Sequence, residues 1–188
     1  MRTDILNHLQ KLIYERCQKP ENHFGAGCYY HIEAVVKNAA LLADSYGADK
    51  EVVMIAAWLH DIASVTDYAL YPLHHIHGAE MASEILRSFD YPADKIHLVQ
   101  ACIRSHRGSY PLEKYTPEEL CVADADAISH FDNVCSLLHL AYHTKGMEIS
   151  EGKAYVRGKL ERSYQKLSDN GRAYYHEKCE KILNSGMV

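Results

Sequence analysis

The chain has 188 residues, 47% of them apolar, enough for one substantial core and a length that suits a single domain. Its formal charge of −5 and its lack of a basic block argue against a long polynucleotide as partner, although a local positive pocket can still hold one small phosphate ester. No apolar run reaches membrane-spanning length, polar groups interrupt Met1–Gln10 too often for a secretory signal, and the six cysteines form no C-x-x-C pair. A soluble cytoplasmic protein with reduced thiols and no membrane partner is expected.

From Ile5 to Cys17 apolar residues recur at three- and four-residue steps, which predicts an amphipathic helix ended by Pro20 and Gly25-Ala26-Gly27. A second helix is expected from about Tyr30 to Tyr46, with Gly47 as its stop. The third, from Asp49 to about Ala63, is apolar on nearly every face and is expected at the centre of the fold. Val65 to Leu73 has no clear period, contains Pro72 and reads as a loop. Helices follow from about His75 to Ser88 and from Ala93 to His106, and Gly108, Pro111 and Pro117 mark a further loop. Pro117 with Glu118 and Glu119 suits a helix start, and that helix passes through Asp124 and Asp126. A helix from Phe131 to about His143, a link from Thr144 to Gly152 and two polar amphipathic helices broken at Ser168-Asp169-Asn170-Gly171 complete the chain. Alternating strand patterns are essentially absent, so the expected class is an all-α helical bundle.

Thirteen histidines are the compositional oddity, since histidine is the commonest metal ligand. The doublet His60-Asp61 falls at the end of the most apolar helix, where ionisable groups are costly unless they are paired or bind a cation. His31, His77, His106 and Asp126 stand at or near other predicted helix ends, where side chains can converge without puncturing a core. Imidazole and carboxylate donors without thiolate point to Mn, Fe, Ni, Co, Zn or Mg rather than to a structural zinc site. His139 and His143 lie at i and i+4, but no Glu follows the first, and they read as surface or satisfied residues; His74 and His75 read as solvent-facing. Fourteen tyrosines, among them Tyr29, Tyr30, Tyr68, Tyr71 and Tyr110, can supply a stacking wall for a base, although ordinary half-buried packing suits most of them.

In this order the residues resemble the HD superfamily of metal-dependent phosphohydrolases. Its pattern is a His, then His-Asp, then a later Asp commonly preceded by Ala. The matching residues are His31 in Tyr30-His31-Ile32-Glu33, His60-Asp61 in Trp58-Leu59-His60-Asp61-Ile62, and Asp126 in Val122-Ala123-Asp124-Ala125-Asp126-Ala127. Asp124 competes with Asp126, because Ala precedes both. His77 and His106 resemble the two further histidines of members with a two-metal site. The resemblance implies an HD-type bundle with its metal-site core at about residues 28–130 and helices from 131 to 188 packed on it. It also implies one or two divalent ions, the first held by His31, His60, Asp61 and Asp126, with Asp61 bridging to a second held by His77 and His106.

The implied activity is hydrolysis of a small phosphate ester or phosphoanhydride, with a nucleotide as the expected substrate. Such cations lower the pKa of water toward neutrality, so that hydroxide attacks phosphorus. Asp61 and His77 are the expected catalytic groups, and Arg107, with Arg104 or Lys114 as alternatives, is the expected phosphate clamp. Two other outcomes are open to the same residues: a di-iron oxygenase using the six-ligand set, and a nucleotide-binding regulator without turnover.

Overall fold

The computed structural model describes residues 1–107 and 112–186; Gly108, Tyr110 and Pro111, named above, lie outside the described residues. Among the described residues there is no strand, and the architecture is an all-α bundle. In chain order the helices are α1 (Thr3–Cys17), α2 (Cys28–Tyr46), α3 (Lys50–Leu59), α4 (Ile62–Thr66), a 3₁₀ helix (Tyr68–Leu73), α5 (His74–Arg87), α6 (Ala93–Ser105), α7 (Pro117–Asp132), α8 (Val134–His139), a π turn (Leu140–Thr144), α9 (Ile149–Lys166) and α10 (Asp169–Leu183).

Helices α3 and α7 form the interior. Along α3, Val52, Val53, Ile55, Ala56, Ala57, Trp58 and Leu59 are buried, in keeping with its all-round apolar sequence. Helix α7 is buried from Cys121 to Phe131 and lies against α2, where Ala39 and Ala43 meet a partner rich in alanine. Short side chains let the two backbones approach closely. Asn38 of α2 adds hydrogen bonds to Ser129 Oγ (3.0 Å) and Asp132 Oδ2 (2.6 Å). Helices α5 and α6 pack as a pair on α3 and α4, and α9 lies on α7 and α8. No described helix is long and apolar enough to cross a membrane.

The ends of these helices are set by local chemistry. Thr116 and Glu119 form a reciprocal capping box at the start of α7, behind Pro117. Gly47 closes α2 in the left-handed conformation (φ 66°), where a side chain would clash with the backbone. Asp49 caps α3, its Oδ1 accepting from the amides of Glu51 (2.9 Å) and Val52 (3.2 Å), and its own amide donates to Glu118 (2.8 Å). That last bond ties the start of α3 to the start of α7.

Several boundaries differ from the sequence expectation. Helix three stops at Leu59 instead of running to Ala63: Asp61 leaves the helical region, and the Ala57 carbonyl, the acceptor for the amide of residue 61 in a continuing helix, accepts from the His60 imidazole (2.7 Å). Asp61 then adopts φ −110°, ψ 14°, and α4 restarts at Ile62. Val65–Leu73, read as a loop, contains the end of α4 and the 3₁₀ helix, with Pro72 tolerated in the tighter turn. The helix expected from Phe131 to His143 is interrupted at Asn133 (φ −122°, ψ 43°), so α8 and the π turn leave the line of α7.

The cap at Asp49 generates a stability prediction. Partial burial works against its charged form, but Lys95 at 2.9 Å and the amides of Val52 and Glu51 hold its carboxyl below the ordinary 3.8. A depressed acid contributes stability that is present above the unfolded value and lost as pH falls through the folded one. Asp49→Ala is expected to cost about 1 kcal/mol in urea unfolding at neutral pH. The gap from wild type should shrink as pH is lowered past 3.8. A gap independent of pH would contradict a charged cap.

Candidate metal centre

His31 enters from the first turn of α2, His60 and Asp61 from the break between α3 and α4, and His106 from the residue that ends α6. Asp126 does not lie near a helix end as expected; it sits in the interior of α7, 7% exposed. The structure brings these five side chains together. The Nε2 of His31 lies 3.2 Å from Asp126 Oδ1, and the Nε2 of His60 lies 3.4 Å from Asp61 Oδ2 and 3.9 Å from Asp126 Oδ1. The Nε2 of His106 lies 3.9 Å from Asp61 Oδ1.

His77 does not join them. It is 38% exposed on the outer face of α5, with Glu80 at 3.8 Å. Its place beside His106 is taken by His74, the first residue of α5, which is buried rather than solvent-facing. The Nε2 of His74 lies 3.5 Å from Asp61 Oδ1 and 3.3 Å from His106 Nε2. His75 is buried as well. The shift has a geometric reason: the 3₁₀ helix ends directly on His74, so the first residue of α5, rather than its fourth, is aimed at Asp61.

The protonation of these rings follows from their other nitrogen. The Nδ1 of His60, His74 and His106 each faces the carbonyl three residues earlier, of Ala57 (2.7 Å), Tyr71 (2.9 Å) and Ile103 (2.6 Å). A carbonyl only accepts, so Nδ1 carries the hydrogen and Nε2 presents a lone pair when the ring is neutral. In that neutral form the inward Nε2 atoms face carboxylate oxygens, and His74 faces His106, with no proton between them. The Nε2 of His60 and the Nδ1 of His31 are buried and have no hydrogen-bond partner. A buried His60 Nε2 facing two carboxylates is costly unless a proton or a cation lies among them, and the imidazole and carboxylate donors gathered there fit a divalent ion. Ligand atoms of His31, His60 and Asp61 lie within 4.8 Å of one another, as do those of Asp61, His74 and His106. The carboxylate of Asp61, with one oxygen toward each group, can bridge two ions.

Ionisation runs the same way. Burial opposes charge on Asp61, but His60, His74 and His106 hold its carboxyl well below the usual range; burial likewise opposes charge on Asp126, which Lys166 and His31 keep ionised. Burial and the neighbouring His60 push His106 down to about 3, so it is neutral near pH 7. Burial alone would lower His60 too, but Asp61 and Asp126 raise it. Ionised carboxylates and a neutral His106 are metal-binding forms, and a cation at His60 would take the place of its Nε2 proton.

Sequence reasoning missed His130 as well as His74. His130 is four residues after Asp126 on α7, one turn along the same face, and its ring stacks on His31 with centroids 4.5 Å apart. Ligand atoms of His31, Asp126 and His130 also fall within 4.8 Å. The i, i+4 spacing from Asp126 was the available signal. Asp124 points elsewhere: it accepts from the Tyr46 hydroxyl (2.5 Å), the Ser168 amide (2.9 Å) and the Ser168 hydroxyl, anchoring the start of α10. A side chain at Gly171 would stand 2.6 Å from that carboxylate. Arg107 donates to the Pro72 carbonyl and so braces the 3₁₀ helix that leads into His74; Arg104 is exposed.

Known proteins share the sequence segment and the fold. Residues 32% identical over 111 positions are found in ribonuclease Y of Alkaliphilus metalliredigens, where the match takes in 59% of this chain but only 21% of that protein. The crystal structure of Bacillus subtilis YpgQ superposes with a TM-score of 0.72 at 18% identity, over 97% of this chain and 92% of that one, and its complex with ADP gives 0.69, also at 18%, over 96% and 93%. A predicted HD superfamily hydrolase from an uncultured Thermotogales bacterium gives 0.56 at 21% identity, over 94% and 92%. At these identities the structures speak for the fold. The model of the HD domain matches residues 28–130, a stretch that contains every clustered histidine and aspartate described above. With more than half of its 188 residues inside that match, the chain belongs to the HD-domain family.

Proposed function

We propose that the protein is a metal-dependent phosphohydrolase acting on a small phosphate ester or phosphoanhydride, with a nucleotide as the preferred substrate class. The observation that carries this reading is the set of inward Nε2 lone pairs on His60, His74 and His106, each fixed by its backbone carbonyl and turned toward Asp61. His31, His60, Asp61 and Asp126 would hold one divalent ion, and Asp61, His74 and His106 a second. Ions bound there supply Lewis-acid activation of water and neutralise charge on phosphate oxygens.

The chain's own groups do the rest. The carbonyls of Ala57, Tyr71 and Ile103 keep the rings from turning, so the ligand face is preorganised. His130, which gives its Nδ1–H to Ser163, stands beside Asp126 and can serve as a further ligand to the first ion. The nucleotide reading draws on two observations. Tyr71 stacks on His74 (5.5 Å, 12°), Tyr68 on Tyr71 (5.7 Å, 6°) and His23 on Tyr68 (4.5 Å, 21°), so a column of aromatic rings runs outward from the centre to a half-exposed edge. A protein of the same fold, YpgQ, has been solved with ADP.

Elemental analysis followed by a panel of nucleotides, phosphomonoesters and a short RNA, each with Mn, Co, Ni, Fe or Mg, tests the function. Phosphate release from a small substrate is expected, with Asp61→Ala abolishing it and lowering metal content. Iron-dependent oxygen consumption would replace this reading with the di-iron oxygenase, and tight nucleotide binding without turnover would replace it with a regulator.

The choice between His74 and His77 has its own measurement. His74→Gln is expected to weaken Mn(II) binding at the second position by at least about tenfold, the scale on which even outer supports of a metal matter. His77→Gln should leave the titration unchanged. The reverse pattern would return His77 to the site.

A further inference from the structure

Helix α9 lies outside the matched segment, yet it turns two lysines toward the metal centre. Its buried residues Gly152, Val156, Leu160 and Ser163 mark the inward stripe, and Lys159 and Lys166, seven residues apart, flank Ser163 on that same side. Ser163 fixes the register: its hydroxyl donates to the Lys159 carbonyl (3.0 Å) and receives the Nδ1–H of His130 at 3.2 Å. The ammonium of Lys166 lies on Asp126 Oδ2, the oxygen other than the one facing His31 and His60. The ammonium of Lys159 makes no hydrogen bond or ion pair among the described residues, although it is within electrostatic reach of Asp126, Asp61 and His130. Lys114 adds a third cation near Lys166.

The ion pair with buried Asp126 is one reason for the placement of Lys166, but folding alone gives none for Lys159. An apolar residue at 159 would continue the stripe without the cost of drawing an ammonium group toward a site of buried imidazoles. The two carboxylates within reach are also the groups proposed to carry divalent ions, and once they do so, the lysines face a net positive centre. An anion is then the missing partner.

We propose that Lys159 and Lys166 of α9 bind the phosphate oxygens of the substrate that point away from the metals. α9 thereby supplies the phosphate-recognising wall of the site from outside the HD segment. The inference rests on the proposed phosphohydrolase reading and adds to it the residues that select a multiply charged phosphate.

The test uses the full chain loaded with Mn(II). Manganese affinity is read by electron paramagnetic resonance, and inorganic phosphate affinity by the relaxation that bound Mn(II) imposes on the ³¹P signal. Lys159→Met, which keeps the buried stem, and Lys166→Met are each expected to weaken phosphate binding by about tenfold or more, the size of a charge-assisted hydrogen bond. Lys159→Arg should recover most of the loss. Manganese affinity of Lys159→Met should not fall, which separates a phosphate contact from a damaged metal centre. Lys159→Gln replaces Lys159→Met if the latter does not melt at the wild-type temperature. Phosphate affinity within twofold of wild type in a folded Lys159 variant would overturn the inference, as would wild-type protein that binds manganese but no phosphate. Failure of the wild type to bind manganese would instead remove the phosphohydrolase reading beneath it.

Discussion

A single hydrogen bond, repeated, governs the centre of this molecule: an imidazole Nδ1–H given to the carbonyl three residues earlier. At His60, His74 and His106 it fixes which nitrogen bears the proton and which way the ring faces, and so leaves the opposite nitrogen as a lone pair aimed at Asp61. At His60 it also falls where α3 ends: the imidazole takes the Ala57 carbonyl at the break, and Asp61 turns across it to face both groups of histidines. Without that break two adjacent helical residues would diverge by about 100° and could not share a centre.

The surrounding fold keeps these contacts dry and aligned. Burying five or more ionisable groups in one place works against folding, and the opposition is met by a thick apolar shell: α3 buried along its length, α7 behind it and α2 held to α7 through small side chains and Asn38. Asp126 is the most exposed to this conflict, since it sits mid-helix in α7. Lys166 and His31, brought by α9 and α2, keep it charged. The C-terminal helices are thus coupled to the centre through Lys166 and through Ser163 on His130, while Asp124, two residues from Asp126, ties the start of α10 to Tyr46 of α2.

Much of this was legible in the sequence, for identifiable reasons. The helical class follows from periodicity. His31, His60, Asp61, His106 and Asp126 are legible because an ordered pattern of ligand types repeats one already known, and the fold does bring these side chains together. His74 is not legible: it follows a Pro-containing stretch without a period, and its direction depends on the 3₁₀ helix forming there. The break after Leu59 is hidden because Ile62, Ala63 and Val65 continue the apolar pattern across it. Lys159 and Lys166 belong to a helix legible only as polar and amphipathic, and the packing of α9 on α7 reveals that they turn inward.

Crystals of the protein grown with Mn(II), measured at a wavelength where manganese scatters anomalously, test the central claim most directly. The account predicts two anomalous peaks joined by the Asp61 carboxylate, one among His31, His60 and Asp126 and the other between His74 and His106. No peak within reach of His60 and Asp61, or a second peak at His77 with His74 turned away, would contradict it.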